Sequence, residues 1–169
     1  MTSWLSDEEQ QTWRALLDMF RLVTSATDRQ LQEDSGIPGP YYGIMVRLAE
    51  APQQQMRMSA LAEAVEGSQS RLSHAVARLS DRGWVERRRC PSDGRGWFAV
   101  LTEAGTEAIE QAAPGHVAFV REILFDVLTP QQQASLREIS TTVADNLRPQ
   151  NATVVAAGCG EAEADVLSA

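Results

Sequence analysis

The stretch LAEAVEGSQSRLSHAVARLSDRGWVERRRCPSDGRGWFAVLTEAG, residues 61–105, decides the fold. Leu61, Ala62 and Val65 make a short apolar face that Gly67 ends, and Ser68 is suited to cap a second helix. In that second helix Leu72, Val76 and Leu79 recur at i, i+4 and i+7 with Ala75 beside them, so one side is core. The opposite side presents Ser70, Ser73, His74, Ala77 and Arg78. Two helices joined at a glycine turn, the second apolar behind and polar in front, fit the DNA major groove. That groove admits one helix and is read by hydrogen bonds to base edges.

Asp81-Arg82-Gly83 closes the helix. Trp84 to Arg89 and Gly96 to Leu101 then read as two strands, and Pro91-Ser92-Asp93-Gly94-Arg95 between them is dense in turn formers. The expected unit is a helix-turn-helix followed by a two-stranded wing. Its candidate DNA contacts are Ser68, Gln69, Ser70, Arg71, Ser73, His74 and Arg78 on the helix, and Arg88, Arg89, Asp93 and Arg95 on the wing. Arg87, Arg88 and Arg89 alternate faces of a strand, so at most two point to DNA together, and Arg88 is also placed to pair with an acid of its own chain.

The spacing Asp93-Gly94-Arg95, five residues, Leu101-Thr102, two residues, Gly105 resembles the wing signature of the multiple antibiotic resistance regulator (MarR) family. The resemblance spans roughly residues 5 to 147. Asp93 is placed to hold Arg95 by a charge-assisted bond and aim it at a narrow minor groove, and Thr102 to cap the helix that leaves the wing. Gly94 departs from the basic residue common at that place in the family. The resemblance implies a mainly α fold with a small two-stranded β-wing, in which the winged helix-turn-helix core is flanked by long terminal helices. It also implies an obligate homodimer made by interlocking those helices, an inverted-repeat operator, and a crevice for a small aromatic or phenolic effector. Trp13, Tyr41, Tyr42, Met45 and His116 are the candidate lining residues; aromatic and Met residues at helical spacing also serve as core.

The chain has 169 residues and a formal net charge of −8, which argues against a general nucleic-acid binder until the charge is divided by segment. Residues 56–101 carry a net +3, against −4 for residues 1–55 and −7 for residues 102–169. Every cation is an arginine, the residue suited to bidentate guanine or phosphate contacts.

Two cysteines, Cys90 and Cys159, supply neither a disulfide framework nor a four-ligand zinc site within one chain. Met1 to Leu5 is short and polar for a signal peptide, and no apolar run approaches a bilayer span, so a cytoplasmic protein without membrane contact is the expectation. No metal or cofactor is expected. No phosphate loop and no Ser, His and Asp set at a recognisable spacing supports catalysis.

Around the central stretch, Ser6-Asp7-Glu8-Glu9 is a capping box that opens a long helix reaching Gly36. Tyr41 to Ala49 resumes a helix that stops before Pro52, and Gln53 to Arg57 reads as a loop. Thr102 to about Leu128 is helical by spacing, with a kink or break expected at Pro114-Gly115. Thr129-Pro130-Gln131-Gln132 restarts a helix that Leu136, Ile139, Val143 and Leu147 continue.

This organisation divides the chain into an N-terminal dimerisation helix (1–35), a winged helix-turn-helix (36–105), C-terminal dimerisation helices (106–147) and a disordered tail (148–169). The expected function is a ligand-responsive repressor that binds double-stranded DNA. Two other readings stand beside it: a winged helix used as a protein-interaction module, and a regulator without a small ligand controlled by oxidation of Cys90.

Overall fold

The computed structural model describes residues 4–65, 68–90 and 93–148, and of residues 93–95 the backbone alone. The turn residues Gly67, Pro91 and Ser92 and the tail 149–169 lie outside the described residues. The chain divides into two compact units, one of residues up to Tyr42 with Ile109–Ser140, the other of Gly43–Ala108 with the residues from Thr141 onward.

In the first unit, helix α1 (Asp7–Ser35) opens on the expected capping box. The Glu9 amide donates to Ser6 Oγ at 3.2 Å, and the Ser6 amide donates to Glu9 Oε2 at 2.7 Å. Three acids in the first turn favour the positive end of the helix dipole. Gly36 ends α1 at φ +66°, a left-handed conformation that glycine adopts without steric cost. Helix α2 (Gly39–Glu50) starts three residues later, its first amide bonded to Asp28 Oδ1 of α1 at 2.6 Å. The unit is completed by residues from α5 (Glu103–Val120) and α6 (Pro130–Leu147).

The expected interruption at Pro114-Gly115 does not occur: α5 runs through Pro114, because a proline removes one N–H and the bonds of the flanking turns carry the helix past it. The winding changes further on, into a π-helical turn at Arg121–Phe125. Helix α6 opens as its sequence implies, with the Gln132 amide donating to Thr129 Oγ1 at 3.2 Å and the Thr129 amide to Gln132 Oε1 at 2.9 Å.

The second unit holds the winged helix. Strand β1 (Gln55–Arg57) leads into α3 (Met58–Ala64) and α4 (Gln69–Asp81), and β2 (Val85–Cys90) and β3 (Asp93–Leu101) form the wing. The fold is mainly helical with a small antiparallel sheet, as expected, but the sheet has three strands in the order β1-β3-β2. Residues 55–57, read from sequence as loop, form the third strand through Gln55↔Val100, Met56↔Ala99 and Arg57↔Phe98. Three residues with no period-2 apolar signal give no local warning of this; the pairing is imposed by the otherwise open edge of β3.

Helix α4 buries Leu72, Val76 and Leu79 at 2% exposure or less, which fixes its polar side outward. Ser68 caps it by accepting from the Arg71 amide at 3.3 Å. Gly83 at φ +74° then turns the chain, with the Trp84 amide bonded back to the Leu79 carbonyl at 3.0 Å. Helix α4 packs on β2, and α3 on β1 and β3.

The start of α5 is tied to this turn. The Thr102 amide donates to the Trp84 carbonyl at 3.0 Å, and Thr102 Oγ1 accepts from the Gly105 amide at 3.0 Å. A Cβ at Gly105 would land on the Trp84 carbonyl oxygen and 2.7 Å from Leu101 Cδ1, so the site admits only glycine without displacing backbone. The second half of the wing signature is thus a packing requirement.

Candidate nucleic-acid interface

Each expected contact on the recognition helix is where its spacing places it: Ser68, Gln69, Ser70, Arg71, Ser73, His74 and Arg78 are all exposed. Arg78 has an acidic neighbour on its own helix, Asp81 Oδ2 at 3.9 Å, a pair of small energetic weight at this exposure. The wing arginines separate by face. Strand β2 pairs Arg88 with Phe98 and Arg89 with Trp97 on β3, and cross-strand partners share a side of the sheet. Arg88 forms its ion pair with Glu86, two residues away on the same side.

On the other side, the Arg87 and Arg89 guanidiniums stand 5.0 and 5.2 Å from the centroid of Trp97. Of the three consecutive arginines, 87 and 89 therefore act together. Sequence reasoning did not bring Arg87 and Trp97 together; the signal is the alternation of 87 and 89 combined with the hairpin register. Asp93 and Arg95 have their backbone in β3, while their side chains lie outside the described residues.

The helix-facing side of the sheet changes character along its length. Val85, Ala99 and Leu101 are at most 5% exposed, whereas Arg87, Arg89 and Trp97 follow on the same side toward the wing. There the sheet leaves a cleft of about 250 Å³ against the start of α3 and the start of α4, lined by Arg57, Ser59, Gln69, Ser73, Arg87 and Trp97 among others.

Arg57 Nη2 donates to Cys90 Sγ at 3.4 Å, and its guanidinium lies 5.7 Å from the Phe98 ring centroid. Cys90 is 3% exposed and packed with Phe98 and Val100. An oxidant reaches it only when that part of the sheet opens.

Of the five expected ligand-lining residues, the structure brings Tyr42 and His116 together, ring centroids 5.1 Å apart at 62°. His116 Nδ1 is 3.1 Å from Gln30 Oε1, and Gln30 Nε2 donates to Asp34 Oδ2 at 2.8 Å. Burial pushes the His116 pKa below its ordinary value and the Tyr42 pKa above its own. Met45 is fully buried, Tyr41 half-buried, and Trp13 is 52% exposed on α1 beside Leu16. Gln30, a buried carboxamide on the α1 face that carries Val23 and Thr27, is the organising residue that sequence reasoning missed. A polar residue at an apolar-stripe position was the available signal.

Among the described residues no His, Cys, Asp and Glu group can hold a metal, and no helix is long and apolar enough to cross a membrane.

A helix-turn-helix whose second helix shows a polar front, continued by an antiparallel wing, defines the winged helix class. Residues 35–96 match the MarR family. A MarR family transcriptional regulator from Streptomyces coelicolor, solved in complex with DNA, is 51% identical, with a TM-score of 0.83 over 90% of this chain and 96% of that one. AbsC, another MarR family regulator from the same organism, is 43% identical, with a TM-score of 0.80 over 87% and 99% of the two chains. The transcriptional regulator HosA of Escherichia coli is 30% identical over 101 residues, 60% of this chain and 73% of HosA. The chain belongs to the MarR family. It spans 59% of the length of the HTH-type regulators of Bacillus cereus that it also matches.

Proposed function

We propose that this chain is a sequence-specific DNA-binding transcriptional regulator that acts as a homodimer on an inverted-repeat operator. The observation that carries the reading is α4: Leu72, Val76 and Leu79 seal its back, and its whole front, from Gln69 to Arg78, is exposed beside a wing rich in arginine. The similarity to a Streptomyces coelicolor regulator solved with DNA supports it. Contacts to phosphate set register, while Ser70, Arg71, His74 and Arg95 supply sequence preference.

Dimerisation is supported by α1, which has 29 residues and buries two of them. Trp13, Leu16, Leu17 and Phe20, spaced as one helical stripe, are 52%, 46%, 47% and 70% exposed. A partner helix is the natural cover for that stripe. On this reading residues 1–35 and 106–147 are dimerisation helices, and a two-fold dimer sets its two recognition helices about one DNA turn, roughly 34–36 Å, apart.

The regulator works in the cytoplasm as a repressor, released when an aromatic or phenolic effector favours a dimer with a different spacing of those helices. Such an effector shifts the population only by its differential affinity for the two states. Tyr42 and His116 are the residues proposed to meet it, and neither metal nor cofactor is required.

The experiment is selection of bound genomic fragments by the purified full-length protein, followed by footprinting. An inverted repeat with half-sites one turn apart is expected. A protein that retains no fragment, and shows no salt-dependent binding to duplex DNA, refutes the reading.

A further inference from the structure

We propose that Thr102 is a positioning residue for DNA recognition. With Trp84 and Gly105 it locks the end of the recognition helix to the start of α5, so that α4 turns only as α5 turns and the protein reads the spacing of two half-sites strictly. The proposal rests on the homodimer and inverted-repeat reading above and adds a residue that touches no DNA. Its first support is a continuous run of hydrogen bonds across the joint. The Trp84 amide donates to the Leu79 carbonyl of α4 at 3.0 Å, and the Trp84 carbonyl accepts from the Thr102 amide at 3.0 Å. Thr102 Oγ1 then acts in both directions: it donates to the Gly83 carbonyl at 2.7 Å and accepts from the Gly105 amide of α5 at 3.0 Å. A hydroxyl that donates to one element and accepts from the other is fixed in one orientation, and the two ends rotate apart only when both bonds break.

The second support is steric. A Cβ at Gly105 would land on the Trp84 carbonyl oxygen and 2.7 Å from Leu101 Cδ1, so the first turn of α5 lies directly on the backbone that follows α4. Close packing of this kind is closed or broken and does not slide through a range of angles.

The third support is where the rest of α4 packs. Its buried side is turned to α3 and β2, which belong with it to the second unit, whereas α5 continues from Ile109 into the first. On the dimer reading the first unit carries the two-fold interface. The joint is therefore where the direction of a recognition helix is referred to the helices that pair the two chains. One inserted base pair moves a half-site by about 3.4 Å and turns it by roughly 34–36°. A stiff joint follows that displacement only at a cost, and a loosened one absorbs part of it.

The test uses the inverted repeat recovered by genomic selection, the same repeat with one base pair inserted between its half-sites, and a duplex holding a single half-site at low salt. Fluorescence anisotropy is measured with full-length wild type, Thr102→Val, Thr102→Ser and Gly105→Ala, and melting temperatures are taken alongside. Wild type is expected to lose at least about tenfold in affinity on insertion, because the second half-site no longer adds its share. Thr102→Val keeps the shape but neither hydroxyl bond; it loses less than about threefold, while its affinity for the single half-site stays within about twofold of wild type. Thr102→Ser retains the hydroxyl and behaves as wild type. Gly105→Ala pushes α5 off the Trp84 carbonyl, relaxes spacing in the same sense, and decides the matter if Thr102→Val does not fold.

Variants of Thr102 and Gly105 that discriminate spacing as wild type does overturn the proposal and leave the regulator reading standing. A loss equal on all three duplexes also overturns it, since Thr102 then contributes to stability alone, and so does Thr102→Ser behaving as Thr102→Val does. Wild type that binds both repeats equally shows a joint that is not stiff, with the same consequence. Selection that recovers no inverted repeat removes the operator reading and the proposal together.

Discussion

Thr102 Oγ1 donates a hydrogen bond of 2.7 Å to the Gly83 carbonyl, so one hydroxyl joins the end of the recognition helix to the beginning of α5. The same oxygen accepts from the Gly105 amide and thereby caps α5. Thr102→Val keeps the shape and removes both bonds. We expect a loss of about 1–2 kcal/mol in urea unfolding, the sum of a lost helix cap and an orphaned carbonyl. A change within a few tenths of a kcal/mol would show that water replaces the hydroxyl at no cost.

Phe20 is 70% exposed in the middle of the apolar stripe of α1. Phe20→Glu places two carboxylates in any two-fold interface centred there. Sedimentation velocity is expected to show monomer for the variant and dimer for wild type, with duplex affinity falling at least tenfold because half-site contacts are no longer made together. A variant that stays dimeric moves the interface off this stripe.

His116 titrates below its ordinary value of 6.5 because burial disfavours its charged form. A base with a lowered folded pKa binds more protons unfolded than folded, so its contribution to stability is constant at high pH and declines as pH falls through 6.5 toward the folded value. Wild type should therefore lose more stability between pH 7.5 and about 5 than His116→Gln does. NMR titration checks the premise directly, and a His116 midpoint above 6.5 contradicts it.

Two substitutions separate base reading from backbone contact. Arg95→Ala is expected to weaken operator binding sharply with the dimer intact, and a gel-shift titration that finds wild-type affinity removes the wing tip from the interface. His74→Ala should relax preference at one base pair per half-site by about 1–3 kcal/mol. A loss uniform across sequences would instead make His74 a phosphate ligand.

Sequence alone locates the elements whose signals are local. The Ser6 and Thr129 capping boxes, the Ser68 cap, the helix ends at Gly36 and Gly83, and the Leu72, Val76, Leu79 stripe each depend on neighbours within a few positions, and all are realised. The features that escaped depend on partners far along the chain. Strand β1 exists because Gln55–Arg57 finds Phe98–Val100. The Gln30 and His116 pair joins residues 86 positions apart. Alternation separates Arg87 from Arg88, but only the hairpin register shows that Trp97 lies on the side of Arg87. For the candidate interface, spacing placed the polar side of α4 outward and separated the wing arginines by face, with Arg88 free to pair with an acid, which it does with Glu86; it could not show that Trp97 stands beside Arg87 and Arg89.

The sheet that is sealed core at Val85, Ala99 and Leu101 and open arginine and indole surface at Arg87, Arg89 and Trp97 has a graded resistance to opening. Hydrogen exchange is expected to be slowest at Val85, Ala99 and Leu101, covered by the helices, and faster at Arg87, Arg89 and Trp97, where burial is confined to the opposite side of the sheet at Cys90, Phe98 and Val100. On the proposed DNA-binding reading, the Arg87, Arg89 and Trp97 side of the sheet adjusts to the width of a groove without drawing on the stability of the core that carries it. Adaptation to different operators is then confined to the few residues that touch them.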